Sequence, residues 1–202
     1  LQTAKRYINT FGSGSGYREN SLFHEELYEE LGLEKVLQSA LLPIIRDNAA
    51  VKTFDPQDRY FISRMVGSND KREAFRGHFD SHYFTIVLPV LIPECAESNI
   101  GELYALVGAR DYPKNEIVNL MQKIYWKRFA NSRGIDTLRS KNQLIVENFR
   151  TYEPLIFLGQ TTFHANNIVL ESYGPRLSFL CHFCDASSKH GIGALLRKIR
   201  NR

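Results

Sequence analysis

Cysteine is scarce in this sequence, which excludes a disulfide framework. Only three of the 202 residues are cysteines: Cys95, Cys181 and Cys184. An odd and small number of cysteines suits a reducing compartment. The sequence also lacks apolar runs long enough to span a membrane, and its N-terminus has no apolar signal-peptide core. We therefore predict a cytoplasmic protein that does not engage a membrane.

A strong excess of charge of one sign is also missing. The chain has 26 Lys and Arg against 22 Asp and Glu, a formal net charge of +4 and a sequence pI of about 8.9. This balance permits an anionic substrate or cofactor, but it is not the clustered basic charge typical of nucleic-acid-binding proteins. Nucleic acid is therefore not the expected partner.

The spacing of apolar residues divides the chain into helical and strand-like parts. Residues 1–50 repeat apolar side chains at helical spacing, and Gly32 is expected to separate two helices. Runs typical of strands occur at 59–66, 82–93, 101–108, 142–149, 153–170 and 176–185. Between them, 113–133 returns to helical spacing, with Pro113 near its first turn and Gly134 beyond its end.

This order predicts an α+β protein with an antiparallel β core, a sandwich or a barrel. We predict one domain over 1–202, with N-terminal helices at 1–50, a core at 59–184, a helical insertion at 113–133 and a basic tail at 185–202. The stretch GSGSG at 12–16 has no preceding strand and no following Lys-Ser/Thr. It predicts a flexible loop, not a phosphate-binding loop.

The first candidate site is the His-x-Asp of "FRGHFDSHYF" at 75–84. In a strand, alternate side chains share a face, so His78 and Asp80 are expected to point the same way, with Phe79 opposite. An imidazole and a carboxylate so placed can bind one cation. The candidates for a third ligand are His24, His82, His164, His182 and His190.

His164 stands out among these because it follows a strand and a glycine turn in "LIFLGQTTFH". Twelve residues later, Arg176 and Ser178 alternate onto one face of the last long strand. A guanidinium and a hydroxyl two residues apart can bind a carboxylate. Two histidines and one carboxylate form the facial triad of non-haem Fe(II) oxygenases, and Arg176 could anchor the far carboxylate of a 2-oxo diacid.

Four motifs in this order resemble the Fe(II)/2-oxoglutarate-dependent dioxygenase superfamily. They are "HFD" at 78–80, "GELYALVG" at 101–108, "EPLIFLGQTTFH" at 153–164 with its glycine turn, and "GPRLSFL" at 174–180. The matching region runs from about residue 59 to 184. The resemblance implies a double-stranded β-helix (jelly-roll) core, flanked by the N-terminal helices and carrying the helical insertion.

The resemblance also implies a set of residue roles. His78, Asp80 and His164 would hold Fe(II), and Arg176 with Ser178 would hold the distal carboxylate of 2-oxoglutarate. O2 and a small-molecule substrate would complete the reaction, which hydroxylates a C–H bond and releases succinate and CO2. An acidic residue at position 80 favours hydroxylation over halogenation, and it leaves desaturation and ring formation open.

One departure from the family concerns 2-oxoglutarate. The strand before the His-x-Asp usually carries a tyrosine that helps to hold it, and "FISRMVGSND" has none. Arg64 or Ser63 are the candidates to replace it. Arg64, Arg72 and Arg76 also lie close to the ligand strand, and they could favour an acidic or amino-acid-like substrate.

Other residues have competing interpretations. His82 shares the stripe of His78 and could touch substrate, although a hydrogen-bonded core histidine is favoured. His182 is an alternative to His164 as the third metal ligand. "CHFC" at 181–184 is interpreted as two separate buried thiols. "KIYWKRF" at 123–129 is interpreted as a helix that packs Ile124, Tyr125 and Phe129, or nearby residues, against a sheet, in preference to a surface for nucleic acid or an anion.

We therefore expect an Fe(II)- and 2-oxoglutarate-dependent hydroxylase of a small molecule. Two alternatives stay open: the same chemistry on a protein or nucleic-acid substrate, and a non-catalytic jelly-roll protein that binds a ligand or partner without iron. The oligomeric state is not predicted.

Overall fold

Helices form most of the N-terminal part of the chain, as the apolar spacing predicts. The computed structural model describes residues 2–12, 16–19, 21–47, 55, 57–66, 74–93, 100–141, 143–170 and 174–185. Its first helices are α1 (Gln2–Phe11), α2 (Leu22–Glu30), α3 (Leu33–Val36), a π-helical turn (Leu37–Leu41) and α4 (Leu42–Arg46). Gly32 separates α2 from α3 with a φ of 61°, a left-handed conformation that glycine adopts at low cost.

One strand in this region was not predicted. Strand β1 (Gly16–Glu19) begins at the last glycine of GSGSG and pairs antiparallel with β2 (Arg59–Val66). It contributes few apolar side chains, so its sequence carries little of the alternation that identifies a strand. Residues 13–15 lie outside the described residues.

Two antiparallel sheets form the core. The larger has the order β1-β2-β8-β3-β6 and the smaller has the order β5-β4-β7. The remaining strands are β3 (His82–Leu91), β4 (Leu103–Leu106), β5 (Ile145–Glu147), β6 (Leu155–Leu158), β7 (Phe163–Asn166) and β8 (Arg176–Asp185). All six of the strand runs predicted from the sequence contain at least one of these strands.

Apolar packing separates the two sides of the larger sheet. Its outer side packs under the N-terminal helices, where Phe61, Phe179 and Phe183 join Leu27 and Leu42 in one cluster. Its inner side faces the smaller sheet through a second cluster made of Val87, Ile100, Leu103, Phe149 and Phe157. The space between the sheets is therefore the place where inward-facing polar side chains of β3, β7 and β8 can meet.

The helical insertion is longer than predicted and contains two helices, α5 (Glu116–Lys127) and α6 (Ser132–Ser140). Asn131 caps α6 by accepting a hydrogen bond from the Gly134 amide at 2.9 Å. Gly134 thus lies beyond the end of α5, as expected, but in the first turn of a second helix that was not predicted. A Cβ there would lie 2.5 Å from the Cα of Phe129, so the close approach of α6 to the turn that precedes it requires glycine.

The side chains that pack from this segment agree with the prediction in part. Ile124 and Tyr125 are 63% and 52% exposed, whereas Trp126 and Phe129 pack against the cluster around Phe163. No residue of α5 is fully buried. Only one narrow face of the helix therefore packs against the cluster around Phe163.

Several predictions fall outside the described residues, namely those on Arg72, Cys95, His190 and the tail from residue 186 onward. Among the helices that the structure describes, none has the length and apolar composition needed to cross a membrane. The single-domain organisation over 1–202 stays a prediction.

Candidate metal centre and active site

A short antiparallel bridge brings His78 and His164 face to face. The His78 amide donates to the His164 carbonyl at 3.0 Å, and the His164 amide donates to the His78 carbonyl at 3.1 Å. The two imidazole rings lie 4.3 Å apart between centroids. Because β3 itself begins only at His82, this isolated bridge, and not a continuous strand, sets the direction of the His78 side chain.

Asp80 completes the group. Its carboxylate oxygens lie 3.4 Å from Nε2 of His78 and 3.7 Å from Nε2 of His164. One ligand atom from each of these three residues lies within 4.8 Å of the others. Of the candidate third ligands, His164 is the one that the described structure brings into this group.

The glycine turn before His164 positions Asp80. The Asp80 amide donates to the carbonyl of Gly159 at 3.0 Å. A Cβ at position 159 would lie 2.8 Å from the Cβ of Asp80 and 2.8 Å from the carbonyl oxygen of His82. Any larger residue at 159 would therefore push the carboxylate away from the two imidazoles.

Backbone carbonyls fix which ring nitrogen of each histidine carries the proton. Nδ1 of His78 lies 2.8 Å from the carbonyl oxygen of Arg76, and Nδ1 of His164 lies 3.2 Å from that of Thr162. Since a carbonyl only accepts, each Nδ1–H donates, and in the neutral form of each ring Nε2 carries the lone pair. Both lone pairs belong to the nitrogens nearest Asp80, which is the tautomer that metal-binding histidines adopt.

The electrostatics of the group favour an ionised carboxylate between imidazoles. Desolvation would raise the pKa of Asp80, but the neighbouring His164, His182 and His78 outweigh it and hold this pKa well below its usual range. Burial lowers the pKa of His164 to about 4, so this ring is neutral near pH 7. Desolvation would also lower the pKa of His78, but the hydrogen bond and charge of Asp80 raise it overall.

His182 supports Asp80 through the hydroxyl of Thr85. The Thr85 hydroxyl donates to Oδ2 of Asp80 at 2.5 Å and accepts from Nδ1 of His182 at 3.0 Å. Nδ1 of His182 is itself 3.8 Å from that carboxylate oxygen. The nitrogen nearest the carboxylate is thus engaged by a hydroxyl, and His182 is not in the group of three that could share a metal ion.

Arg176 and Ser178 lie on the inner face of β8, as their spacing predicts. Arg176 and Ser178 are 5% and 3% exposed. The Arg176 guanidinium donates to the carbonyl of Gly101 and lies over the ring of Phe149. Burial lowers the pKa of Arg176, and the charge of Arg64 lowers it further. Two guanidinium groups this close favour an anion between or beside them.

The structure separates the two residues proposed to replace the missing tyrosine. Ser63 faces the outer core, where its hydroxyl hydrogen-bonds Nε2 of His24. Arg64 lies directly opposite Ser178 in the pairing of β2 with β8, and its Nη1 donates to Oδ1 of Asn166 on β7. Arg64 is therefore the one that reaches the space between the sheets.

Comparison with known proteins gives likeness in structure only. No protein-family model matches the chain, and no curated protein matches it. A prolyl 4-hydroxylase from Phytophthora capsici is 10% identical, with a TM-score of 0.51 over 99% of this chain and 61% of that one. The predicted fold is confirmed. This chain shares the core fold of that prolyl 4-hydroxylase, and it brings together the His-x-Asp and the distal histidine of its motifs.

Two further structures have lower scores. A prolyl-4-hydroxylase from Pseudomonas putida is 9% identical, with a TM-score of 0.48 over 90% of this chain and 82% of that one. A non-haem alpha-ketoglutarate-dependent carbocyclase from nogalamycin biosynthesis, SnoK, is 11% identical, with a TM-score of 0.48 over 97% and 79%.

One side of the group formed by His78, Asp80 and His164 is open. The His78 side chain is 55% exposed, whereas those of Asp80 and His164 are 9% and 7% exposed. His78 forms part of the wall of a cleft of about 490 Å³, which Arg64 and Arg76 also line. A molecule in this cleft would lie beside the histidine that faces solvent.

The ring of His82 packs against two other rings. Its ring stacks 6.1 Å from Tyr60 and 5.2 Å from His182. It is not among the described residues that line the cleft. The favoured interpretation of His82 as a packed histidine agrees with this position.

The two cysteines of "CHFC" are free and buried. Burial raises the pKa of Cys181 well above its usual range and that of Cys184 to about 12. Both groups are therefore protonated thiols near pH 7, as the interpretation of two separate buried thiols requires.

Sequence reasoning missed several residues that build the site. Asn166 and Tyr60 share the inner faces of their strands, and period-2 spacing from His164 and Arg64 could have identified them. Thr85, Gln160 and Arg110 gave no such signal. The Gln160 side chain donates to the Ser81 carbonyl at 3.0 Å, and Arg110 donates to the Gln160 carbonyl at 2.6 Å. These contacts join residues far apart in sequence, so no local sequence pattern predicts them.

Proposed function

We propose that this protein is an Fe(II)- and 2-oxoglutarate-dependent dioxygenase that hydroxylates a C–H bond of a small molecule. The bridge between His78 and His164 carries the proposal, because it turns the Nε2 atoms of both imidazoles toward the Asp80 carboxylate. We propose that the three residues hold the iron and that the chain forms one catalytic domain.

The donor set fits Fe(II) chemically. Two imidazole nitrogens and one carboxylate oxygen form the facial arrangement that leaves coordination positions open in non-haem iron oxygenases. Both histidines already have the required tautomer, and the low pKa of Asp80 keeps it ionised. The chain therefore needs no change of protonation at Asp80 or His164 to bind a divalent metal near pH 7.

Arg176 and Ser178 are proposed to bind the distal carboxylate of 2-oxoglutarate, with Arg64 beside them. A buried guanidinium next to a second one is costly unless an anion is present. The described residues give Arg176 a carbonyl partner in Gly101 and a distant carboxylate in Glu102, which raises its pKa. A dianionic co-substrate would relieve this excess of positive charge.

When bound, Fe(II) and 2-oxoglutarate would supply the oxidative decarboxylation that consumes O2 and yields succinate, CO2 and a hydroxylated product. The chain's own residues bind and orient. Thr85 and His182 hold the Asp80 carboxylate in place, and Gly159 leaves room for it. The exposed edge of His78 leaves one approach for a substrate.

The test is an anaerobic titration of the purified protein with Fe(II) and 2-oxoglutarate, following the weak visible charge-transfer band of the chelate. We expect the band in the unchanged protein. We expect Arg176→Ala to lose it at the same 2-oxoglutarate concentration, because a buried charge-assisted pair is worth roughly 2–5 kcal/mol. Arg133→Ala, an exposed residue of α6, is the matched control and should keep the band.

Each other outcome has a definite meaning. Metal binding without the band would contradict the 2-oxoglutarate assignment. Absence of metal binding would contradict the enzyme and favour the non-catalytic jelly-roll alternative.

A further inference from the structure

We propose that the substrate is a small organic anion with an aromatic or other planar apolar part, bound in the cleft between α5 and His78. This inference rests on the proposed function only in making the bound molecule a substrate, because the residues that line the cleft support the binding site by themselves. It names the class of molecule whose C–H bond the iron would meet.

Positive charge dominates the cleft. Arg64, Arg76, Lys123 and Lys127 line it, and no Asp or Glu is among its described lining residues. A concave surface with charge of one sign concentrates the field and attracts ions of the opposite sign. Over the whole chain cations exceed acids by only 26 to 22, so four cations without an acid is a local feature.

Aromatic rings form the rest of the wall. Trp126 and Phe163 line the cleft with centroids 5.1 Å apart, and Phe79 lies 5.8 Å from Trp126. Gly77 makes this possible, because a Cβ there would lie 2.1 Å from Cζ of Phe163. Faces of aromatic rings bind planar apolar groups, so the cleft offers such a group a place next to the cations.

One face of α5 delivers both kinds of contact. Lys123, Trp126, Lys127 and Ala130 are three or four residues apart along the helix and its end, the spacing that places side chains on one side. The insertion thus brings two ammonium groups and an indole to the side of the metal group where His78 is exposed. A molecule held by them would lie beside the proposed iron.

The size and surroundings of the cleft favour a small molecule over a nucleic-acid strand. Its volume of about 490 Å³ is within the range typical of small-ligand sites. The outward face of α5 next to it is apolar and exposed, formed by Ile117, Leu120, Met121 and Ile124 at 49 to 66% exposure. A single-strand track would instead continue as a basic groove.

Trp126 gives a direct measurement, because it is the single tryptophan of the chain. Metal-free protein is titrated with phenyl phosphate, and Trp126 fluorescence is followed with excitation at the red edge of its absorption. Benzyl alcohol tests the ring without the charge, inorganic phosphate tests the charge without the ring, and a short oligothymidylate tests the nucleic-acid alternative. We expect phenyl phosphate to bind most tightly of the four.

The double variant Lys123→Gln/Lys127→Gln should weaken phenyl phosphate binding by about tenfold or more, because it removes two charge-assisted contacts. Arg128→Gln and Arg133→Gln are matched controls, since each removes one positive charge from the same insertion outside the cleft lining. They should bind phenyl phosphate like the unchanged protein. Circular dichroism of each variant checks that the helices are retained.

The outcomes separate this inference from the proposed function. Equal binding of phenyl phosphate and benzyl alcohol, or no effect of the double variant, would overturn the anion site. Tighter binding of the oligothymidylate would overturn the small-molecule class. In both cases the chelate band of Fe(II) and 2-oxoglutarate, which the double variant should keep, still tests the enzyme by itself. Loss of that band with phenyl phosphate binding intact would contradict the enzyme and leave the anion site standing.

Discussion

The two faces of strand β8 are almost equally buried and have opposite chemistry. Toward the N-terminal helices the strand presents Leu177, Phe179 and Phe183, and toward the smaller sheet it presents Arg176, Ser178 and His182; none of the six is more than 6% exposed. Burying a large apolar side chain stabilises a fold by about 1.5–3 kcal/mol. Burying a cation or an imidazole costs free energy unless it finds partners. The outer face thus accounts for stability, and the proposed ligand site would account for the composition of the inner face.

Two buried histidines show the same contrast. His24 lies on the outer side of the sheet. Its Nδ1 accepts a hydrogen bond from the Ser21 amide at 3.0 Å, and its Nε2 is hydrogen-bonded to the Ser63 hydroxyl. Both ring nitrogens therefore bind residues outside the candidate site. His182 lies on the inner side, and its Nδ1 leads through Thr85 to Asp80. Burial lowers the pKa of both rings. Their partners, and not their burial, distinguish a structural histidine from one that serves the site.

The largest expected effect comes from exchanging histidines on the inner side. His164→Ala removes a proposed metal ligand and should abolish both Fe(II) binding and 2-oxoglutarate consumption. His182→Ala removes a residue at almost the same distance from Asp80, 3.8 Å against 3.7 Å. His182→Ala should lower metal affinity or activity by about 10–100-fold, as the loss of a residue that supports a metal ligand does. Calorimetric metal titration and succinate formation measure the two effects, and the reverse order would show that the third ligand is wrong.

The next prediction compares the two faces of β8 in stability. Phe179→Ala should lower the free energy of unfolding by about 3–5 kcal/mol, because it leaves a cavity in the outer core. Arg176→Ala should change it by less than about 1 kcal/mol, since it removes a buried cation along with its contacts. Urea denaturation of the metal-free protein measures both, and Val107→Ala, at an exposed position, is the control for removing apolar surface. Similar losses in Phe179→Ala and Arg176→Ala would mean that the inner face is also structural.

Local spacing was enough to predict the faces but not the approach of distant segments. Period-2 alternation alone places Arg176, Ser178 and His182 on one side of β8, and the structure keeps them there. The contact of Gly159 with Asp80 could not be predicted, because it depends on how a turn meets a segment about eighty residues earlier in the chain. The sequence shows a glycine at position 159, but it does not show that a larger side chain there would collide with Asp80.

The helical insertion shows a different limit. Apolar spacing continues through "KIYWKRF", so it suggests one helix where two exist. The side-chain cap at Asn131 begins the second helix, and the periodic pattern alone does not reveal it. Strand β1 was missed for a different reason, since its side chains are mostly exposed and it is held by pairing with β2.

The smallest expected effect is the part of the pH dependence of stability that comes from His24 on the outer side. Desolvation lowers the pKa of His24 below the usual value, so between the two values the unfolded chain binds more protons than the folded one. The free energy of unfolding should therefore fall as the pH drops below about 6.5. His24→Gln should lose part of this slope. It can keep one hydroxyl partner through its amide, so the fold is expected to persist.

Urea denaturation of metal-free protein between neutral and mildly acidic pH measures this slope. His164 and His182 also have lowered pKa values, so they contribute to it from the inner side. The difference in slope between the unchanged protein and His24→Gln gives the share of His24, whose ring faces Ser21 and Ser63 on the other side of the sheet. If His24→Gln left the slope unchanged, then the buried imidazole of the outer core would not titrate on unfolding, and the contrast between the two faces would rest on packing alone.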